Sequence, residues 1–144
     1  MAEIGFYHLT RTAAEAALPK LLARTLAANE RALVVAPDAA RLDAVSTALW
    51  ADAEWLPHGT PEVEPAWQPI LLSTRAEPLN GAKFLFLLDG ATAEASAYAR
   101  VFDLFDGNDE TAVTAARARW AAAKQAGHSL AYWQQTEAGW QKQG

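Results

Sequence analysis

Three histidines, His8, His58 and His128, have the side chain best suited to acid–base work near neutral pH. They lie far apart, and none has a second histidine or a carboxylate at metal-ligand spacing. His8 falls near the end of a strand-like run, His58 follows Pro57 in an acidic segment, and His128 follows Gly127. No G-x-S-x-G elbow accompanies them. The absence of cysteine removes a thiolate nucleophile, a thiolate metal site and a disulfide scaffold. Glu62 and Glu64 could form a carboxylate pair, but a solvated loop face suits them better. The residues therefore predict no catalytic site, no cofactor and no metal.

Recognition chemistry is better represented. From Thr111 to Thr136 the cations are Arg117, Arg119 and Lys124, with no Asp or Glu. On a helix, Arg117, Ala121 and Lys124 form one stripe, because seven residues is close to two turns. Trp120 is offset from that stripe by about 60°. A cationic rim beside an indole suits a short peptide with an anionic end and an apolar side chain, such as a free C-terminal carboxylate beside an aromatic residue. The same pattern also describes a helix whose Trp120 packs inward while its cations are solvated. A second candidate is the segment from Ala51 to Gln68. It holds four prolines and glycines, four carboxylates, no Lys or Arg, and the aromatics Trp55 and Trp67. Such a loop with apolar aromatics is a candidate contact surface.

These features need a scaffold, and 144 residues with 51% hydrophobic and 20% charged residues suffice for one globular domain over 1–144. The net charge of −5 argues against a whole-protein nucleic-acid binder but leaves room for a local basic patch. No apolar run of about 18 residues predicts a membrane span. No charged segment followed by an apolar run resembles a signal peptide, so a cytoplasmic protein is expected. Six tryptophans is a high number, and Trp is enriched both in cores and at interfaces.

Glu3–Leu9 reads as a strand. A helix capped by Thr10 or Thr12 follows, with a possible kink at Pro19. Ala32–Ala36 is a short apolar run of the kind buried on both faces in a parallel sheet. Asp38 then caps a second helix carrying Leu42, Val45, Leu49 and Trp50. Strands are expected at Ile70–Ser73, Lys83–Leu88 and Arg100–Phe105, with a short helix over Ala91–Tyr98. A longer helix over Asp109–Ala126 is stopped by Gly127, and a last helical stretch is expected from Ser129 to about Lys142. The fold class is α/β: a mostly parallel sheet of about five strands with helices on both faces, Rossmann-like. The first strand–helix turn, Leu9-Thr10-Arg11-Thr12-Ala13, has no glycine, so it lacks a phosphate-binding loop.

In order and spacing, several segments resemble the chi subunit family of bacterial DNA polymerase III. They are Phe6-Tyr7-His8-Leu9, Ala32-Leu33-Val34-Val35-Ala36, Arg41-Leu42-Asp43 leading to Ala48-Leu49-Trp50, and Trp55-Leu56-Pro57-His58. Ala116-Arg117-Ala118-Arg119-Trp120 and Ala126-Gly127-His128 follow. Leu130-Ala131-Tyr132-Trp133-Gln134-Gln135 resembles the alphaproteobacterial variant. The resemblance implies a non-catalytic accessory subunit that links the clamp-loader complex to the acidic C-terminal tail of single-stranded-DNA-binding protein. It implies a tail site at Arg117, Trp120 and Tyr132. Ala121 stands where the family has a lysine, and Lys124, one turn further on, is expected to replace it. It implies a second interface, for a psi subunit or another clamp-loader component, at Trp50, Trp55, Leu56, Pro57 and His58. Contact with DNA would be indirect and no membrane is involved.

Two other readings compete. A Rossmann-like scaffold permits a small nucleotide-binding or hydrolytic enzyme. Direct binding of single-stranded DNA through stacked tryptophans is disfavoured by the net charge and by the acidic loop.

Overall fold

The computed structural model describes residues 2–52, 56–137 and 139–143. Its centre follows from the apolar runs. β2 (Ala32–Val35), β3 (Ile70–Ser73) and β4 (Phe84–Leu88) are buried almost throughout, as strands covered on both faces must be. With β1 (Glu3–Leu9), β5 (Arg100–Asp106), β6 (Ser129–Thr136) and β7 (Gly139–Gln143) they form one sheet in the order β3-β2-β4-β5-β1-β6-β7. All pairings are parallel except β6 with β7.

Three helices cover the sheet among the described residues. α1 (Ala14–Ala27) and α2 (Ala39–Ala51) pack on one face, against Val34, Leu72, Phe86 and Leu104. α3 (Glu110–Gln125) packs on the other, against Phe6, Val101 and Phe105. The expectation of an α/β fold with helices on both faces holds, while the sheet has seven strands instead of about five.

The two additional strands are the main correction. Ser129–Thr136 and Gly139–Gln143 pair as antiparallel strands of a hairpin where a helix was expected. α3 brings the chain back beside β1, whose free edge offers unpaired backbone groups along Glu3–His8. The sequence of β6 also alternates, with Leu130 and Tyr132 packed on the α3 side and Trp133 on the other. A smaller correction concerns 91–98, where only Ala95–Ala97 forms a 3₁₀ turn. There the Glu94 carboxylate accepts from the backbone N–H and the hydroxyl of Ser96, a local bond that competes with helix.

The helix signals at α2 and α3 were legible. Asp38 accepts from the Arg41 N–H, and Asp109 accepts from the N–H groups of Thr111 and Ala112. α3 ends in a Schellman motif: Gly127 (φ 87°) donates to the Lys124 carbonyl and His128 to the Ala123 carbonyl. At α1 the expected threonine cap is absent. Ala13 is the N-cap, and α1 runs on through Pro19.

Candidate functional site

The α3 residues divide by direction. Arg117 and Lys124 are exposed, as is Ala121 between them. Trp120 is half-buried. Its indole meets Phe6 of β1 edge-on at 5.3 Å and Tyr132 of β6 at 5.8 Å between ring centroids. Arg117 lies close enough to Tyr132 to oppose, electrostatically, the rise that burial gives the phenol pKa. Arg117, Trp120 and Tyr132 therefore come together, and Lys124 sits one turn beyond Trp120 on the same helix.

Arg119 leaves the basic patch. Its guanidinium turns inward and donates twice to the carboxylate of Asp103, at 2.7 and 2.9 Å. Asp103 is only 3% exposed. Burial pushes its pKa up and Arg119 pulls it back. The paired fork locks α3 to β5 and fixes which residues of α3 can face outward.

His8, near the end of β1, supports the candidate site from below. Its Nε2 faces the Gly107 carbonyl at 3.3 Å, and its Nδ1 lies 2.5 Å from the Tyr132 hydroxyl. These partners define the tautomer: Nε2–H donates to Gly107 and Nδ1 accepts from Tyr132. A Cβ on residue 107 would fall 1.9 Å from the His8 ring, so only glycine leaves this path open. Spacing gave no signal for this contact, because His8 and Tyr132 are 124 residues apart.

The second group of predicted residues gathers at the other end of the sheet. Trp50, at the end of α2, is 60% exposed. The His58 ring lies over it at 4.2 Å. His58 donates through Nδ1 to the Leu56 carbonyl and accepts at Nε2 from the Ser46 hydroxyl, both at 2.8 Å. Pro57 is partly exposed. Leu56 is 2% exposed and belongs to the core, so it anchors the segment and presents nothing. Trp55 lies outside the described residues. Trp67 and Val63, at 76% and 59% exposure, are the larger apolar surfaces of this loop. Arg31 pins the loop by donating to the carbonyls of Ala66 and Asn80.

The turn after β1 answers the question of phosphate binding. The backbone N–H groups of Thr10, Arg11 and Thr12 all point at one oxygen, Oε1 of Gln135, at 3.1, 2.9 and 3.1 Å. The Gln135 amide N–H donates in turn to the Thr12 hydroxyl. The place where a related fold would hold a phosphate is filled by the chain's own amide. Nearby, Arg41 bridges Glu15 of α1 and Asp89 after β4, which sets paired charges on the wall of the crevice at the strand ends. That bridge holds the Glu15 carboxyl below the usual range. Among the described residues no cluster of three or more ligating side chains could hold a metal ion, and no helix is long and apolar enough to cross a membrane.

Comparison with curated proteins finds no match. Comparison with protein families does: residues 1–131 match the model described as DNA polymerase III chi subunit, HolC. The match spans β1 through the start of β6, and with it α3 and the aromatic end of α2. The chain belongs to the DNA polymerase III chi subunit family.

Proposed function

We infer that this chain is a non-catalytic accessory subunit of the replicative polymerase that joins two partners through opposite faces of its sheet. On the α3 face it takes the acidic C-terminal tail of single-stranded-DNA-binding protein. On the α2 end it takes a psi subunit or another clamp-loader component, through Trp50, Pro57, His58 and the neighbouring exposed Trp67. Five strand spacings separate β3 from β6, roughly 24 Å, so both partners can be held at once.

The observation that carries this reading is the placement of Trp120. It is braced edge-on by Phe6 and Tyr132, beside an exposed Arg117 that has no carboxylate partner among the described residues. A C-terminal carboxylate can pair with the guanidinium while the last side chain rests on the indole. Lys124 and the open surface over Ala121 extend the site along the helix and suit the acidic residues that precede the tail's end. The filled β1–α1 turn weighs against the nucleotide-enzyme alternative.

Calorimetry with a short acidic peptide ending in Phe tests this directly. Binding is expected at low salt, weakening as salt is added because the contact is partly ionic. Arg117→Ala should lose most of it while leaving the melting temperature unchanged. If the unmodified protein shows no binding at low salt, the tail site is refuted.

A further inference from the structure

The family match ends at residue 131, yet the sheet continues for another strand and a half. That addition carries Trp133, Gln135, Trp140 and Lys142 on one face, since Trp133 pairs with Lys142 and Gln135 with Trp140 in the antiparallel register. This is the α1 face, opposite the proposed tail site. Trp133 stacks near-parallel to Tyr7 at 6.4 Å, Trp140 meets Tyr7 edge-on at 5.2 Å, and Lys142 Nζ lies 6.0 Å over the Trp133 ring.

Between this hairpin and α1 runs a cleft of about 480 Å³. Trp140 and Gln135 line one side; Ala16, Ala17, Lys20 and Arg24 line the other. Arg24 also lines a second, smaller cleft that continues to Arg100, whose guanidinium lies over Phe102. Neither cleft is lined by any Asp or Glu. The crevice at the strand ends, by contrast, includes Asp89 and Asp106, and the cleft beneath α3 includes Glu94 and Asp103. In a chain of net charge −5, Lys20 and Arg24 stand along one aromatic groove with no carboxylate in its lining, Lys142 lies beside it over Trp133, and Arg100 at the far end is paired with Glu3 outside it. Lys20, Arg24 and Lys142 are exposed and form no ion pair among the described residues.

We propose that the groove between α1 and the β6–β7 hairpin binds single-stranded DNA, with phosphates on Lys20, Arg24 and Lys142 and a base against Trp140. Cations that follow a groove beside aromatic rings match the two terms of single-strand binding, phosphate neutralisation and base stacking. The short side chains of Ala16 and Ala17 leave room on the α1 side, while the Gln135 amide is committed to the β1–α1 turn and the Thr136 hydroxyl to the Gly139 carbonyl, so the contact is stacking and charge without base readout. The overall negative charge does not oppose this, because screening confines a field to about 10 Å at 0.1 M salt and the groove's own charges dominate within that distance. The contact does not depend on the tail site, since the residues lie on opposite faces of the sheet.

The test is fluorescence anisotropy of an end-labelled oligothymidylate with the full chain at about 0.1 M salt, extended to higher and lower salt for the slope. Saturable binding is expected. Engaging three phosphates should give a slope of log K against log salt of about −2. The double variant Lys20→Glu with Arg24→Glu, both at exposed helix positions, should weaken binding by about tenfold or more with an unchanged melting temperature. Trp140→Ala should weaken it further, and acidic-peptide binding should be unaffected by either change. Absence of binding to the oligonucleotide, or binding that survives both sets of substitutions, overturns the assignment. So does a double variant that loses the acidic peptide instead of the oligonucleotide, which would make the groove a peptide site.

Discussion

The two ends of the sheet handle their aromatic residues in opposite ways. At the β1–β6 end, Trp120 is half-buried and braced by Phe6 and Tyr132, and Tyr132 is held in turn by His8. At the β3 end, Trp50 and Trp67 stand largely in solvent, and the contact that positions Trp50 is a single imidazole over its ring. A braced indole loses little freedom when a small ligand arrives, which suits a peptide end with few contacts to offer. Free-standing indoles gain most of their energy only when a large surface covers them, which suits a folded subunit. The difference follows from the backbone. α3 is stapled to the sheet by a buried ion pair, whereas the 57–68 loop is held by backbone bridges and by Arg31 at its rim.

The strongest way to break this contrast is Arg119→Ala. It leaves Asp103 buried without a partner, and losing one member of such a pair costs about 3–5 kcal/mol. Trp50→Ala, at an exposed position, should change stability by no more than about 0.5 kcal/mol. Chemical denaturation of the two variants side by side checks both. The Arg119 variant carries a pH signature. Burial already raises the Asp103 pKa, and removing the guanidinium raises it further, so the folded variant takes up a proton more readily than the unfolded chain. Its stability therefore falls as pH rises from the ordinary carboxylate range through the raised value, and is flat above it. The deficit relative to the unmodified protein should shrink in acid and be largest at neutral pH. Equal deficits at both would mean that Asp103 is not the group left exposed to this cost.

How much of this could be read from the chain depends on the range of each interaction. The run at Ala32–Ala36 announced a buried parallel strand and Ile70–Ser73 a strand, and Asp38 and Gly127 marked helix ends, because caps act over a few residues. Trp120 and Arg117 were legible as neighbours through helical spacing. Helical spacing already set Arg119 off the stripe of Arg117 and Lys124, but nothing local says that its partner is Asp103 on β5. The 129–142 segment was misread for the same reason. Its Tyr132, Trp133 and Thr136 favour a strand while its Ala, Gln and Lys residues favour a helix, and the open edge of β1 decides between them. Leu56 was grouped with its exposed neighbours, and only the packing places it inside.

A smaller effect should come from Gly107→Ala, which sharpens the claim that the tail site is braced from beneath. The new methyl cannot coexist with the His8 ring where it stands. Moving that ring should cost about 1–3 kcal/mol and release the Tyr132 hydroxyl. Thermal denaturation and peptide calorimetry should both register the change, and Ser46→Ala, which frees His58 at the other end, should leave peptide binding untouched. Loss of peptide affinity in both variants would show the two ends to be coupled and not independent.

The finest test is Tyr132→Phe. It keeps the ring that braces Trp120 and removes only the bond to His8 Nδ1. The half-buried position limits the stability loss to about 1 kcal/mol, the usual net value of one hydrogen bond. In the free protein the hydroxyl donates to His8, so its hydrogen is already committed and it cannot also donate to an arriving carboxylate. The proposed tail site therefore predicts that Tyr132 acts on a peptide through the indole it supports, with its hydroxyl as a brace. Peptide affinity in the phenylalanine variant should accordingly fall only a few-fold, whereas Tyr132→Ala, which takes away the ring, should fall much further. If phenylalanine is as damaging as alanine, the hydroxyl itself meets the ligand, and the histidine beneath it must release it on binding.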